Sequence, residues 1–156
     1  MFFDQNTPKR FTLSRIDSTH PLASYSKHSF ELDGYEWPSV EHYYQAMKFA
    51  DPDYREQIRT AGHPAEAAKL GKSRKHNRRK DWDKVKVTYM TRGTYIKCHT
   101  HPDVARTLLA TDDSEIIEVS QYDYFWGCGR DIRGNNAFGK MLMAIREKLR
   151  EELKPD

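Results

Sequence analysis

In the stretch WPSVEHYYQAMKFADP, Trp37 to Pro52, a glutamate, a glutamine and a lysine stand at positions 41, 45 and 48 among aromatic residues. At about 100° per residue these positions fall in a narrow wedge of one helical face, so Glu41, Gln45 and Lys48 can all reach into one cavity. A carboxylate and an amine held together can move protons, and the amine can act as a nucleophile or hold an anion. The plainer reading is that Glu41 complements the positive end of its helix and Lys48 is solvated further along. Two more segments combine an acid with a large aromatic residue. RRKDWDKVK places Asp81, Trp82 and Asp83 at a helix mouth directly after a basic run, and YDYFWGCGRDIRGNN places Asp123 and Trp126 beside a glycine-rich loop. Each has an ordinary structural alternative: Asp81 as a helix N-cap, Trp82 as core, Asp123 as the cap of a turn, Trp126 as a plug over the sheet.

Other chemistries find less support. GCGRDIRG is not the GxGxxG of a dinucleotide fold, and no GxxxxGK[ST] loop occurs, so an ordinary nicotinamide or nucleoside triphosphate site is not indicated. KCHTHP brings Cys98, His99 and His101 together, but the remaining ligands of a metal site would have to come from elsewhere, and no paired CxxC or HExxH supplies them. No metal and no cofactor are expected. No nucleophile motif surrounds a serine or cysteine. Hydrolysis by this chain would therefore rest on carboxylates and an amine. The segment KSRKHNRRK, Lys72 to Lys80, carries six Lys or Arg and no acid; it reads as a solvated loop or as a phosphate-facing surface.

These residues need a scaffold of about one domain's size. The chain has 156 residues, a net charge of +3, 37% hydrophobic and 31% charged residues, which predicts a single polar, soluble domain over 1–156. No apolar run approaches the ~20 residues of a membrane helix. MFFDQNTPKR lacks the pattern of a secretory leader, and two cysteines are too few for a disulfide scaffold, so a reducing cytoplasm is the expected setting. SFELDGYEW predicts a hairpin about Asp33-Gly34. Ser39 is a plausible N-cap for a helix running to about Phe49, and Asp51-Pro52 starts the next. HPAEAAKLG reads as a short helix closed by Gly71. The longest helix is expected from Asp81 to about Lys97, with Gly93 inside it marking a weak point or a close contact. HPDVARTLLAT is a further Pro-started helix, EIIEVS a buried strand, and AFGKMLMAIREKLREEL an amphipathic closing helix with Leu142, Ile145 and Leu149 inward. The sum is an α+β fold, mostly helical, with a small β-sheet.

Taken in order, SFELDGYEWPSVEHYYQAMKF, YREQIRTAGHPAEAAKLGKS, RKDWDKVKVTYM, LLATDDSEIIEVSQYDYFWGCG and GNNAFGKMLMAIREKL resemble successive blocks of the NADAR superfamily and its YbiA-like N-glycosidases, over about Leu22 to Leu149. The resemblance implies hydrolysis of N-glycosidic bonds to ribose. Two substrate classes go with it: ribosylamino-pyrimidine phosphates of the early riboflavin pathway, and ADP-ribose attached to guanine, with ADP-ribosylated nucleic acid as a further partner. Matched residue by residue, it implies functional roles for Glu41, Lys48, Trp82 and Asp123, with Asp81 and Trp126 at flanking positions; Gln45 joins them by the helical face it shares with Glu41 and Lys48. The shared exocyclic ribosylamine can open to an imine. Lys48 would then form a Schiff base with the opened sugar while Glu41 shuttles protons, Asp123 orients water or hydroxyls and Trp82 stacks on the base or walls the pocket. The competing route activates water directly past an oxocarbenium-like state and leaves Lys48 an electrostatic contact. Arg78 and Lys80, beside a helix N-terminus, are candidates for the phosphate. The chain departs from the pattern at LASY, where Ser24 replaces the usual asparagine, and at Asp112, which replaces a glycine; both bear on substrate identity. A noncatalytic module binding ADP-ribose or nucleic acid stands as the other reading.

Overall fold

Among the described residues, four of the six helices begin where a side chain can satisfy the free N–H groups of a first helical turn or where proline has none to offer. The computed structural model describes residues 9–155. In chain order it contains β1 (Arg10–Leu13), β2 (Phe30–Leu32), β3 (Tyr35–Trp37), α1 (Val40–Ala46), α2 (Pro52–Arg59), α3 (Pro64–Leu70), α4 (Trp82–Thr100), α5 (Pro102–Leu109), β4 (Glu115–Glu118) and α6 (Ala137–Leu153). Ser39 caps α1 by accepting from the His42 N–H at 3.1 Å. Asp51 caps α2 by accepting from the Asp53 N–H at 3.0 Å, and Pro52, Pro64 and Pro102 open their helices.

β2 and β3 form the expected hairpin, Phe30 opposite Trp37. Its two turn residues, Asp33 at φ 56° and Gly34 at φ 84°, are both left-handed, the backbone that suits the right-handed twist of the flanking strands. The segment EIIEVS supplies β4, which pairs in parallel with β1, from Arg10 opposite Glu115 to Leu13 opposite Glu118. That partner lies about a hundred residues upstream and is not announced by local pattern. α6 packs on β4, and Leu142, Ile145 and Leu149 are buried as their spacing requires.

α1 is the centre of the molecule. It packs against α2, α3 and α4, and all seven of its residues are buried. Gly93 in α4 marks a close contact: a Cβ there would lie 3.0 Å from Tyr43 Cδ1. Two boundaries differ from the sequence expectation. α1 ends at Ala46 with Met47 as cap, so Lys48 lies just past the helix, its N–H donating to Gln45 O at 3.3 Å in a tightened last turn. α4 runs to Thr100, beyond Lys97. The polar groups of KCHTHP diverge: His99 meets Glu152 at 2.9 Å, His101 meets the Ser29 carbonyl at 2.6 Å, and Cys98 is buried with a free thiol. Among the described residues no helix is long and apolar enough to cross a membrane.

Candidate active site

Burying the whole of α1 forces its polar residues to find partners, because an unpaired buried charge is expensive. Glu41, 0% exposed, has three. Its Oε2 accepts from Arg15 Nη1 at 2.8 Å and from Ser24 Oγ at 2.9 Å, and its Oε1 accepts from Gln45 Nε2 at 2.7 Å. Gln45 reaches Glu41 because residues four apart share a helical face. Ser24 reaches it because the loop after β1 folds over the start of α1, where the Ser24 carbonyl accepts the Glu41 N–H at 3.0 Å. Ser24 is itself buried, so the position where the family pattern has asparagine is filled by a direct partner of the carboxylate.

Arg15 and Tyr44 are residues that sequence reasoning missed. The Arg15 backbone N–H donates to Glu118 Oε2 at 2.6 Å, which ties the loop to the end of β4. Its guanidinium donates to Glu41, with Nε 3.9 Å from Asp123 Oδ2. One cation therefore sits between two carboxylates from distant parts of the chain. Burial pulls the Arg15 pKa down, but Glu41, Tyr44, Tyr25 and Asp123 outweigh it, and it ends raised. The only signal in the sequence is indirect: a fully buried glutamate demands a cation, yet nothing near Ser14-Arg15-Ile16 says which.

Lys48 is partly buried beyond the end of α1. Its Nζ lies 3.5 Å from the Gly71 carbonyl and 5.6 Å from the centre of the Tyr44 ring, with no carboxylate in salt-bridge range among the described residues. Burial lowers its pKa from 10.5 to about 8; Glu41 pulls it back up, while Arg15, Arg78 and Lys72 push it further down. Burial thus shifts this amine toward its neutral, nucleophilic form.

Tyr44 joins the aromatic residues to this group. Trp82 packs against it at 5.0 Å between ring centres, Trp126 meets it edge-on at 5.7 Å, and Trp126 Nε1 donates to its hydroxyl at 3.2 Å. Burial raises the Tyr44 pKa to about 12, so the phenol stays protonated. Trp82 and Trp126 are only 2% and 4% exposed. Both back the wall that carries Tyr44, and neither offers an open face on which a base could stack. Their core alternative describes their packing.

Asp123 does two things. Its Oδ1 caps the following turn, accepting from Phe125 N at 3.0 Å and Trp126 N at 2.8 Å, while Oδ2 faces Arg15. The basic run ends against the site. Arg79 N donates to Lys48 O at 2.7 Å and Phe49 bridges Arg78, which holds residues 78–79 alongside 48–49. Arg78 is exposed, 3.6 Å from Asp83, close enough to Lys48 to depress its pKa. Lys80 is exposed. Asp81 occupies the N-cap position of α4 but its side chain does not cap; both its oxygens go to Arg79, at 2.6 and 3.0 Å. The structure thus gathers Glu41, Gln45, Lys48, Ser24, Asp123, Trp82 and Trp126 about Arg15 and Tyr44, keeps Arg78 and Lys80 at the solvent edge, and turns Asp81 to Arg79.

Known proteins share this architecture. The NADAR domain profile matches residues 1–150. The N-glycosidase YbiA of Escherichia coli is 36% identical over 136 residues, 87% of this chain and 85% of that protein. The NMR structure of E. coli YbiA superposes with a TM-score of 0.85 at 34% identity, covering 96% of this chain and 90% of that one. An N-glycosidase of Nostoc punctiforme is 40% identical over 135 residues, 85% of this chain and 86% of that protein. The riboflavin biosynthesis protein PYRR of Zea mays is 37% identical over 143 residues, 82% of this chain and 23% of its own length.

Proposed function

Because the chain belongs to the NADAR family, we propose that it hydrolyses the bond between ribose and an exocyclic amine, with ribosylamino-pyrimidine phosphates of riboflavin synthesis as its substrate class. It is a hydrolase of N-glycosyl compounds. The observation that carries the mechanism is the pairing of a carboxylate-free, partly buried Lys48, its pKa lowered to about 8, with a Glu41 whose charge is already held by three donors.

An exocyclic ribosylamine opens when its ring C1′–O bond breaks: the ring oxygen takes a proton and C1′ becomes the carbon of an imine. Lys48 Nζ, as the neutral amine, adds to C1′ and gives up a proton. The base amine takes that proton and leaves, so the C1′–N bond to the base breaks as the C1′–Nζ imine forms. Water adds to this imine, C1′–Nζ breaks, and the free sugar aldehyde and the Lys48 amine are restored. When protonated, each imine is a cation, and the negative charge of Glu41, felt at Lys48 although outside salt-bridge range, stabilises it. Asp123, held by two N–H groups and facing Arg15, orients the water. Tyr44, backed by Trp82 and Trp126, excludes bulk solvent. Arg78 and Lys80 at the rim meet the substrate phosphate.

The test is mass spectrometry of the free pyrimidine and ribose phosphate released from a ribosylamino-pyrimidine phosphate, alongside reduction with borohydride during turnover. The expected result is release by the wild type and a reduced sugar adduct on Lys48. Appreciable turnover by Lys48→Arg would remove the covalent route, since a guanidinium cannot form this imine at neutral pH. A parallel assay with guanine-linked ADP-ribose, free and in an oligonucleotide, decides between the substrate classes.

A further inference from the structure

We propose that Gly71 is a positioning residue of this site: its missing side chain is the slot that lets the Gln45 amide lie against Glu41 while the Gly71 carbonyl lies against Lys48. The proposal rests on the functional reading above only for its kinetic consequence.

Gly71 follows α3 at φ −65° and ψ −14°, an ordinary right-handed conformation open to any residue, so the backbone does not require glycine there. Space does. A Cβ on Gly71 would overlap Gln45 Oε1 outright and stand 2.7 Å from Gln45 Cδ and 3.2 Å from its Cβ. Gln45 is 4% exposed, its Nε2 donates to Glu41 Oε1 at 2.7 Å, and its Oε1 is buried without a hydrogen-bond partner. The amide cannot turn around, because its oxygen would then face the carboxylate. It is wedged, amine toward Glu41 and oxygen toward Gly71. The Gly71 carbonyl, 3.5 Å from Lys48 Nζ, holds the amine that completes the site. One residue at the end of α3 thereby touches both the amide that holds Glu41 and the amine of Lys48.

A methyl group at position 71 would displace the tip of the Gln45 side chain and not the helix, since alanine is at home in right-handed backbone. Gly71→Ala is therefore expected to stay folded, with a melting temperature lowered no further than by removing another donor of Glu41 such as Ser24, while kcat/KM falls about tenfold to a hundredfold, the scale of losing one hydrogen bond to a charged group. Gln45→Ala should fall similarly, and the double variant should be no worse than Gln45→Ala alone, because the Oε1 and Cδ atoms that the added methyl would overlap are gone and only the 3.2 Å contact with Cβ remains. Full activity in Gly71→Ala, a double variant whose loss is the product of the two single losses, or unfolding of both Gly71→Ala and the double variant would each overturn the proposal. A second readout needs no substrate. The side-chain amide of Gln45, identified in 1H–15N spectra by its absence in Gln45→Ala, should shift in Gly71→Ala and in Glu41→Gln; an unmoved signal in Gly71→Ala also overturns the proposal. If the wild type releases no base from any ribosylamine, the functional reading fails while the spectra still decide the role of Gly71.

Discussion

Replacing Arg15 with methionine keeps most of the side chain's length and removes its charge. Glu41 is 0% exposed and Arg15 12% exposed at the side chain, with 2.8 Å between them. The variant leaves a buried carboxylate with two neutral donors, Ser24 and Gln45, and no counter-charge. Breaking one side of a buried pair typically costs about 3–5 kcal/mol, most of it the uncompensated charge left behind. For a chain of this size each kcal/mol moves the melting temperature by about 2–4 °C, so a fall of roughly 6–20 °C is expected. The assay is thermal and urea unfolding followed by circular dichroism at pH 7, for the wild type, Arg15→Met, Glu41→Gln and the double variant. The double variant should regain most of the lost stability, because an amide no longer needs the guanidinium, yet it should remain inactive. A loss below about 1 kcal/mol in Arg15→Met would refute the reasoning, since it would mean that Glu41 is solvated in solution and the three-donor site does not exist as described.

Three further outcomes follow from the same geometry. With Lys48 near 8, kcat/KM should climb about tenfold per pH unit below that value and level off above it, as the neutral amine accumulates; a flat profile from pH 6 to 9 would remove the amine from the rate-limiting chemistry. Lys97, buried in α4 with Nζ donating to Ala23 O at 2.9 Å and Ser26 Oγ at 2.5 Å, has a pKa lowered by burial from 10.5 to about 7. The unfolded chain binds the extra proton between those values, so stability should rise with pH from about 7 toward 10.5, by up to about 1.4 kcal/mol per pH unit, and Lys97→Met should flatten that slope in urea titrations. Ser24→Ala removes one of the three donors to Glu41; a loss of about 1 kcal/mol in stability, measured by urea unfolding, and a several-fold drop in kcat are expected.

What the sequence determined by itself is the set of features that a few neighbouring residues control. Ser39 and Asp51 cap their helices through hydrogen bonds to the N–H two or three residues on, prolines open three helices, and Asp33-Gly34 turns a hairpin because its two left-handed positions suit those residues. The face shared by Glu41 and Gln45 follows from helical period alone, as does the inward side of α6. The tertiary structure decided the rest. Lys48 left the helix; the segment Arg78-Arg79 holds the backbone of Lys48-Phe49, and the Gly71 carbonyl lies 3.5 Å from the Lys48 amine. β1 found β4 across the chain, and that pairing set Arg15 between Glu41 and Asp123. No local pattern encodes such contacts, because they depend on which distant surfaces close together as the core forms. Once α1 is buried on every side, the cost of leaving Glu41 uncompensated selects Arg15 as its partner.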